Sequence, residues 1–298
     1  MPAVPLSTPA AKQELRDFLR TRRARLRPTD VGLPAGESRR VPGLRREEIA
    51  LLAGVSVDYY VRLEQGRGGN VSRSVLDAVS RALQLDEAEH QHLVDLAQPA
   101  PARRKLAPRR QRVRPAVAML LDALDLQPAF VMGDRMDVLA INSIAHNLMG
   151  GFMDVPSNER NLARFIFLDE SARDIHTEWS AVAEETVAML RLYAGAHPND
   201  PELSRLVGDL SLQSPDFVKW WSAHNVRSRS FGTKICAHPE VGEMTLNYEA
   251  LLFPGDNEQR LCVYSAEPGS PSEERMQLLA SLHSPESAAR ASLTAEVL

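Results

Sequence analysis

Residues 44–66, LRREEIALLAGVSVDYYVRLEQG, are the stretch that decides the fold of the N-terminal part of the chain. Apolar residues recur at helical spacing on both sides of Gly54, which predicts two short helices. Gly54 stands where a helix ends in a residue with positive φ, and Ser56 stands where the next helix begins with a hydroxyl cap. The residues expected to face inward are Ile49, Leu51, Leu52, Ala53, Tyr60 and Leu63.

The turn between these helices has room for only about three residues, so the helices must cross steeply. This is the arrangement of a DNA-binding helix-turn-helix, whose second helix lies in the major groove. Arg62 can bind guanine through two hydrogen bonds, Asp58 can accept from cytosine or orient a neighbouring arginine, and Val57 can contact a thymine methyl group. An ordinary helical hairpin with a solvated arginine face is the alternative.

Arginines flank the predicted turn and could bind phosphate. Arg45 and Arg46 open the first helix, where free backbone N–H groups also attract anions. Arg39 and Arg40 could grip phosphate or enter a minor groove, or could lie in a solvated turn. The predicted DNA contacts are Arg39, Arg40, Arg45, Arg46, Ser56, Val57, Asp58, Tyr59, Arg62, Arg67 and Asn70.

Length and charge divide the chain into two parts. With 298 residues it is long enough for two domains. Residues 1–114 hold 22 Lys+Arg and 13 Asp+Glu, a net charge of +9, whereas residues 115–298 hold 13 and 26, a net charge of −13. A basic part is attracted to a polyphosphate, and an acidic part is repelled from it. The boundary coincides with residues 98–115, a basic, proline-punctuated linker.

Several classes of protein are disfavoured. No apolar run approaches the roughly 18 residues of a membrane helix, and no secretory signal opens the chain, so we expect a cytoplasmic protein without a membrane partner. The chain has only two cysteines, Cys236 and Cys262. They form neither a CxxC pair nor a set of zinc ligands. No phosphate-binding, zinc-protease or nucleophile-elbow motif is present, so we predict neither an enzyme nor a cofactor.

From Val117 onward the pattern predicts a helix, a β-hairpin, several helices and three further strands. These elements make an α+β domain with an antiparallel sheet whose one face is covered by helices, leaving room for an apolar cavity. Core packing is the competing explanation for each aromatic residue in this part. The predicted ligand contacts are Phe130, Met132, Phe165, Phe167, Trp179, Met189, Trp220, Arg227, Tyr248 and Tyr264.

Two segments carry a resemblance to known families. VPGLRREEIALLAGVSVDYYVRLEQGR resembles the XRE-type (Cro/cI-like) helix-turn-helix regulators. RNLARFIFLD, SPDFVKWWSAHNVR and HPEVGEMTLNYEALLFPGD resemble the ligand-binding domain of MmyB-like transcription regulators. The resemblance implies a bacterial regulator with a PAS-like C-terminal domain that binds a fatty-acid-like or other apolar metabolite. It also implies a phosphate contact from Arg46 and base contacts from Val57, Asp58, Tyr59 and Arg62.

Together these observations predict two domains. An all-α, five-helix helix-turn-helix domain spans residues 11–97, and an α+β PAS-like domain with a helix-covered antiparallel sheet spans residues 116–280. The expected partners are double-stranded DNA with a pseudo-palindromic operator, a second copy of the chain, and a small apolar ligand such as a fatty acid. The alternative is a DNA-binding regulator whose C-terminal domain is a ligand-free module for dimerisation and protein interaction.

Overall fold

The computed structural model describes residues 9–34, 41, 43–68, 71–98, 111–150, 152, 155–156, 159–253 and 256–282. These residues form two compact units. The first takes in the described residues of Met1–Pro108 with Val187–Val207 and Val218–Ser228, and the second those of Arg109–Thr186, Gly208–Phe217 and Arg229–Leu298. Among the helices in these ranges, none has the length and apolar character needed to cross a membrane.

Five α-helices precede residue 98 in the described part of the chain, as the sequence predicts. They are α1 (Pro9–Arg25), α2 (Arg46–Ala53), α3 (Val57–Glu64), α4 (Arg73–Ala82) and α5 (Glu87–Ala97), with a short 3-10 turn at Pro28–Val31. Their inward stripes meet in one core, in which Phe18, Leu19, Ile49, Tyr60 and Leu63 are fully buried. A hydroxyl cap begins α4 and a carboxylate cap begins α5, since Ser72 accepts from the N–H of Val75 and Asp86 accepts from that of Glu89.

One expectation for α2 is wrong. Leu51 and Leu52 do not face the core with Ile49 and Ala53, because Leu51 is 71% exposed and Leu52 is 37% exposed. Successive residues of an α-helix are rotated by about 100°, so a run of adjacent apolar residues cannot all lie on one face. The inward stripe of α2 is instead Ile49, Ala50 and Ala53.

The C-terminal part of the chain forms the sheet. Its elements follow the predicted order of two strands, several helices and three further strands. The strands are β1 (Ala129–Met132), β2 (Val138–Ile141), β3 (Phe231–His238), β4 (Gly242–Phe253) and β5 (Asp256–Ser265), arranged as β2-β1-β5-β4-β3 with antiparallel neighbours. The helices are α6 (Pro115–Asp122), α7 (Ser143–Leu148), α8 (Leu162–Leu168), α9 (Ser171–Ile175), α10 (Trp179–Ala196), α11 (Pro201–Gln213), α12 (Pro215–Trp221) and α13 (Pro271–Leu282). The predicted α+β fold class is confirmed.

Strand register decides which side chains share a face of the sheet. Tyr248 of β4 lies opposite Tyr264 of β5, and Lys234 of β3 lies opposite Leu246. Directly opposed residues of antiparallel strands point to the same side. These four side chains therefore lie on one face.

The other face of the sheet is not bare, which differs from the expectation that helices cover one face only. Val117 and Leu121 of α6 pack there against Val131 of β1 and Leu261 of β5. The apolar stripe of α6 has to be buried, and this face provides the apolar surface that buries it.

Candidate DNA interface and ligand cavity

The turn between α2 and α3 has the geometry that the sequence predicts. Gly54 adopts φ 65°, the left-handed conformation that glycine tolerates without strain. The N–H of Val55 donates to the carbonyl of Ala50 at 3.0 Å, which closes the first helix. Ser56 Oγ accepts from the N–H of Tyr59 at 3.2 Å, which caps the second.

The residues predicted to read bases lie on the accessible side of α3. Val57 is 46% exposed, and Tyr60, three residues further along, is fully buried. The side chains of Asp58 and Arg62 are 80% and 57% exposed, and they form an ion pair at 3.1 Å across one helical turn. In the protein without DNA, Asp58 therefore orients Arg62. This is one of the two roles that the sequence predicts for Asp58.

A buried carboxylate holds the predicted phosphate-binding arginine. Arg46 donates to Glu64 Oε1 from Nε at 3.0 Å and from Nη2 at 2.7 Å, while its side chain stays 46% exposed. Arg23 of α1 donates to Glu64 Oε2 at 3.1 Å. Burial raises the pKa of Glu64, but the hydrogen bonds from Arg46 and Arg23 outweigh burial and bring it below its usual value of 4.5. One charged carboxylate therefore joins α1, α2 and α3.

The remaining predicted DNA contacts are only partly described. Arg45 caps α2, where its N–H donates to the Glu48 carboxylate at 2.6 Å and its side chain is 42% exposed. Arg67 is exposed just beyond α3, and its N–H donates to the carbonyl of Arg62 at 2.8 Å. Arg39, Arg40 and Asn70 lie outside the described residues.

A small cavity lies between the sheet and the helices of the second unit. The volume of the cavity, counted as the space that the centre of a water molecule can occupy, is about 40 Å³. Because one water needs roughly 10 to 15 Å³ by this measure, the cavity has room for about three waters as it stands. Its walls are Pro128, Phe130, Ala145, Leu148, Met149, Leu162, Ile166, Ile175, His176, Val182, Thr186, Lys234, Cys236 and Tyr264.

The cavity is apolar except at one corner. Lys234 and His176 meet there, and the backbone of His176 pairs with Cys236, two residues along β3 from Lys234. Burial, together with the nearby Lys234 charge, lowers the pKa of His176 to about 4, so its imidazole is neutral at pH 7. Burial raises the pKa of the Cys236 thiol to about 11, so it remains protonated. Lys234 is the only cationic side chain in the described wall of the cavity.

Two of the ten predicted ligand contacts, Phe130 and Tyr264, line this cavity. Tyr248 lies beside it, with its ring 6.0 Å from that of Tyr264. The others do not line it: Met132 is core, Phe165 packs on Phe152, and Phe167 and Trp179 stack edge to face. Met189, Trp220 and Arg227 belong to the first unit.

Two residues of the cavity wall are functional candidates that the aromatic pattern of the sequence does not predict. Lys234 and His176 carry the polar corner of the cavity. The alternation of β3 offered a signal for Lys234, since it shares a face with the apolar Cys236. Glu64 was also missed, although it stands four residues after the inward Tyr60 and so had to face the core.

The fold and these two sites define a DNA-binding protein of the helix-turn-helix class with an α+β domain that encloses an apolar cavity. Residues 14–93 match the family model of a helix-turn-helix domain. Residues 113–279 match that of the MmyB-like transcription regulator ligand binding domain. The second match covers more than half of the chain, so the chain belongs to the MmyB-like transcription regulators. Comparison with curated proteins gave no match. The protein is a DNA-binding transcription regulator, and neither match is to an enzyme family.

Proposed function

We propose that this regulator binds a pseudo-palindromic operator as a homodimer and that a small apolar, fatty-acid-like metabolite in its cavity changes its affinity for DNA. The observation that carries the proposal is the apolar cavity in the segment that matches a ligand-binding domain. Small-molecule sites are typically concave, mostly apolar and supplied with a few polar groups, which describes this cavity.

The DNA part of the proposal rests on α3. Four accessible side chains, Val57, Asp58, Tyr59 and Arg62, offer too few base contacts for useful specificity from a single copy. Two copies on half-sites about one helical turn apart would double the contacts, which supports a symmetric dimer.

Helix α10 offers a physical basis for coupling between ligand binding in the cavity and affinity for DNA. Val182 and Thr186, near its start, line the cavity. Arg191, further along, is 1% exposed within the first unit, where it pairs with Glu14 of α1 and donates to the carbonyl of Trp221. A ligand that binds two states of α10 unequally would shift their populations, and without unequal binding it would change nothing.

The test is an operator titration with the full-length protein. An operator is selected from random DNA, and its dissociation constant is measured with and without sodium octanoate. We expect a change of about 5- to 150-fold, the usual range of allosteric coupling. Native mass spectrometry of the complex gives the number of copies bound, and one copy on one half-site at nanomolar affinity would contradict the dimer.

A matched pair of variants separates the cavity from the rest of the sheet. Ala145→Leu places extra carbons in the cavity wall, where Ala145 is 1% exposed. Ala140→Leu adds the same carbons on β2, next to the α6 side of the sheet. The octanoate response should be lost in Ala145→Leu and kept in Ala140→Leu, with operator binding retained in both. Equal responses in the two variants would contradict a role for the cavity.

The small size of the cavity favours one alternative function. Room for only about three waters suits a ligand-free domain for dimerisation and protein interaction. That alternative predicts no response of operator affinity to octanoate and no apolar molecule extracted from the purified protein.

A further inference from the structure

The guanidinium of Arg46 has one edge on a buried carboxylate and another edge towards solvent. Its Nε and Nη2 donate to Glu64 Oε1 at 3.0 and 2.7 Å, and the side chain is 46% exposed at the first residue of α2. A guanidinium carries five N–H donors in a rigid planar fork. The two donors on Glu64 therefore leave the edge formed by Nη1 and Nη2, which makes no hydrogen bond within the described residues.

The carboxylate that holds Arg46 is itself fixed. Glu64 is 1% exposed, and its Oε2 accepts from Arg23 Nε at 3.1 Å. Arg23 is anchored in turn, because its Nη1 donates to the carbonyl of Leu44 at 2.7 Å. A carboxylate that is enclosed by the core and bonded at both oxygens has little room to follow a movement of Arg46. The plane of the Arg46 guanidinium is therefore set from inside the domain.

The outer edge of this guanidinium suits a phosphate. Two parallel N–H donors match two oxygens of one phosphate group, which makes such contacts strong and directional. Arg46 is also the first residue of α2, where unpaired backbone N–H groups and the helix dipole attract an anion. A surface arginine without a partner samples many rotamers, and ordering it on binding costs entropy. An arginine that is already oriented avoids most of that cost.

We propose that Glu64 is a positioning residue for DNA binding, which orients Arg46 so that the edge formed by its Nη1 and Nη2 meets a backbone phosphate. This inference rests on the phosphate contact predicted for Arg46 and names the buried residue through which that contact is arranged. Glu64 does not touch DNA itself, since it is buried.

The charge of Glu64 gives the proposal a sign that can be measured. Considered as a charge alone, a carboxylate beside Arg46 weakens the attraction between this surface and DNA, so its removal should tighten binding. Considered as a positioning group, the same carboxylate strengthens binding, so its removal should weaken it. The two effects have opposite directions, and Glu64→Gln measures which of them dominates.

The experiment measures the binding of the full chain to the selected operator and to a mixed-sequence DNA duplex, at a temperature where circular dichroism shows each variant to be folded. Glu64→Gln should weaken binding to both DNAs about 5- to 30-fold, the upper limit being the rotamer entropy of one arginine side chain. Glu47→Gln is the matched control, because it removes one negative charge from the same helix but from a carboxylate that pairs with Arg45. It should change both affinities by less than about twofold.

A double-mutant cycle separates positioning from a general loosening of the fold. If Glu64 acts through Arg46, Glu64→Gln should have no further effect on DNA affinity once Arg46→Ala has removed the guanidinium. A purely structural role of Glu64 would instead lower the affinity of Arg46→Ala protein by the same factor as that of wild type.

Arg46→Lys keeps the proposal testable if Glu64→Gln folds poorly. It retains the positive charge beside Glu64, but an ammonium is a point charge without a planar fork and cannot hold the carboxylate with one edge and a phosphate with another. We expect it to weaken binding to both DNAs about 10-fold. Tighter binding by Glu64→Gln, a loss that persists in the Arg46→Ala background, or wild-type affinity of Arg46→Lys would each overturn the positioning role and leave the phosphate contact intact. An Arg46→Ala variant that binds both DNAs like wild type would overturn the contact as well.

Discussion

Replacing Glu64 with glutamine tests whether one buried carboxylate holds the helix-turn-helix together. Glu64 is 1% exposed and accepts from Arg46 at 2.7 and 3.0 Å and from Arg23 at 3.1 Å. Glutamine has nearly the same shape, so Glu64→Gln leaves the packing unchanged and removes the negative charge between two guanidinium groups.

The magnitude follows from how far each arginine can reach water. Breaking a fully buried pair by removing one partner costs about 3 to 5 kcal/mol. Arg23 is 13% exposed, but Arg46 is 46% exposed and can be solvated once released, so its share must be discounted. We therefore expect Glu64→Gln to lower the free energy of unfolding by about 2 to 3 kcal/mol at pH 7.

The effect should also depend on pH. Because the pKa of Glu64 in the folded protein lies below its usual value of 4.5, its contribution is present above about pH 4.5. It is lost as the pH falls through the folded pKa, so wild type and variant should converge in acid.

Amide hydrogen exchange on the full chain is the suitable assay, because it reports the opening of α1, α2 and α3 separately from the sheet. Peptides from α2 and α3 should exchange faster in Glu64→Gln, whereas peptides from β4 should be unchanged. Glu47→Gln, at a carboxylate that is 64% exposed, is the control and should change the opening free energy by less than about 0.5 kcal/mol. A Glu64→Gln effect no larger than that of the control would refute the reasoning.

Two further predictions concern DNA binding and acid stability. Arg62→Ala should cost about 1 to 3 kcal/mol on the selected operator and relax one base position, whereas Arg46→Ala should weaken binding to all sequences and reduce the salt slope by about 1. Fluorescence anisotropy on operator and random DNA measures both, and equal losses on the two DNAs for Arg62→Ala, or a loss confined to the operator for Arg46→Ala, would contradict these roles. Burial lowers the pKa of His92 from 6.5 to about 3, so its stabilisation is present above pH 6.5 and is lost as the pH falls. Between pH 7 and pH 5 the wild type should lose about 2 kcal/mol more than His92→Leu in urea unfolding, and parallel losses would exclude His92 as the cause.

The helix-turn-helix could be predicted because its signals are local. Gly54 and Ser56 mark the turn by their own backbone and hydroxyl chemistry, and Tyr60 and Leu63 mark the inward face by spacing alone. The partners of Glu64 could not be predicted this way. Arg23 lies 41 residues before it in the chain, and only the packed helices bring the two side chains together.

The cavity was harder to predict because its wall is assembled by pairing between distant segments. Phe130 of β1 lies opposite Cys262 of β5, and the two residues are more than a hundred positions apart. The sequence indicates that most of the chain's few aromatic residues lie in this part, but not which of them packs in the core. Strand register makes that choice, and it also brings Lys234 to the same face as Tyr264.

The buried junction at Glu64 has a consequence for redesigning the operator that this protein reads. The side chains that face outward from α3 are separate from those that fix its position, since Asp58 and Arg62 are exposed while Tyr60 and Glu64 are buried. Exchanging the outward residues alone would retarget the reading helix on an unchanged scaffold. Grafting α3 as a whole onto another regulator would instead carry an unpaired carboxylate into its core unless the graft also supplied the equivalents of Arg23 and Arg46.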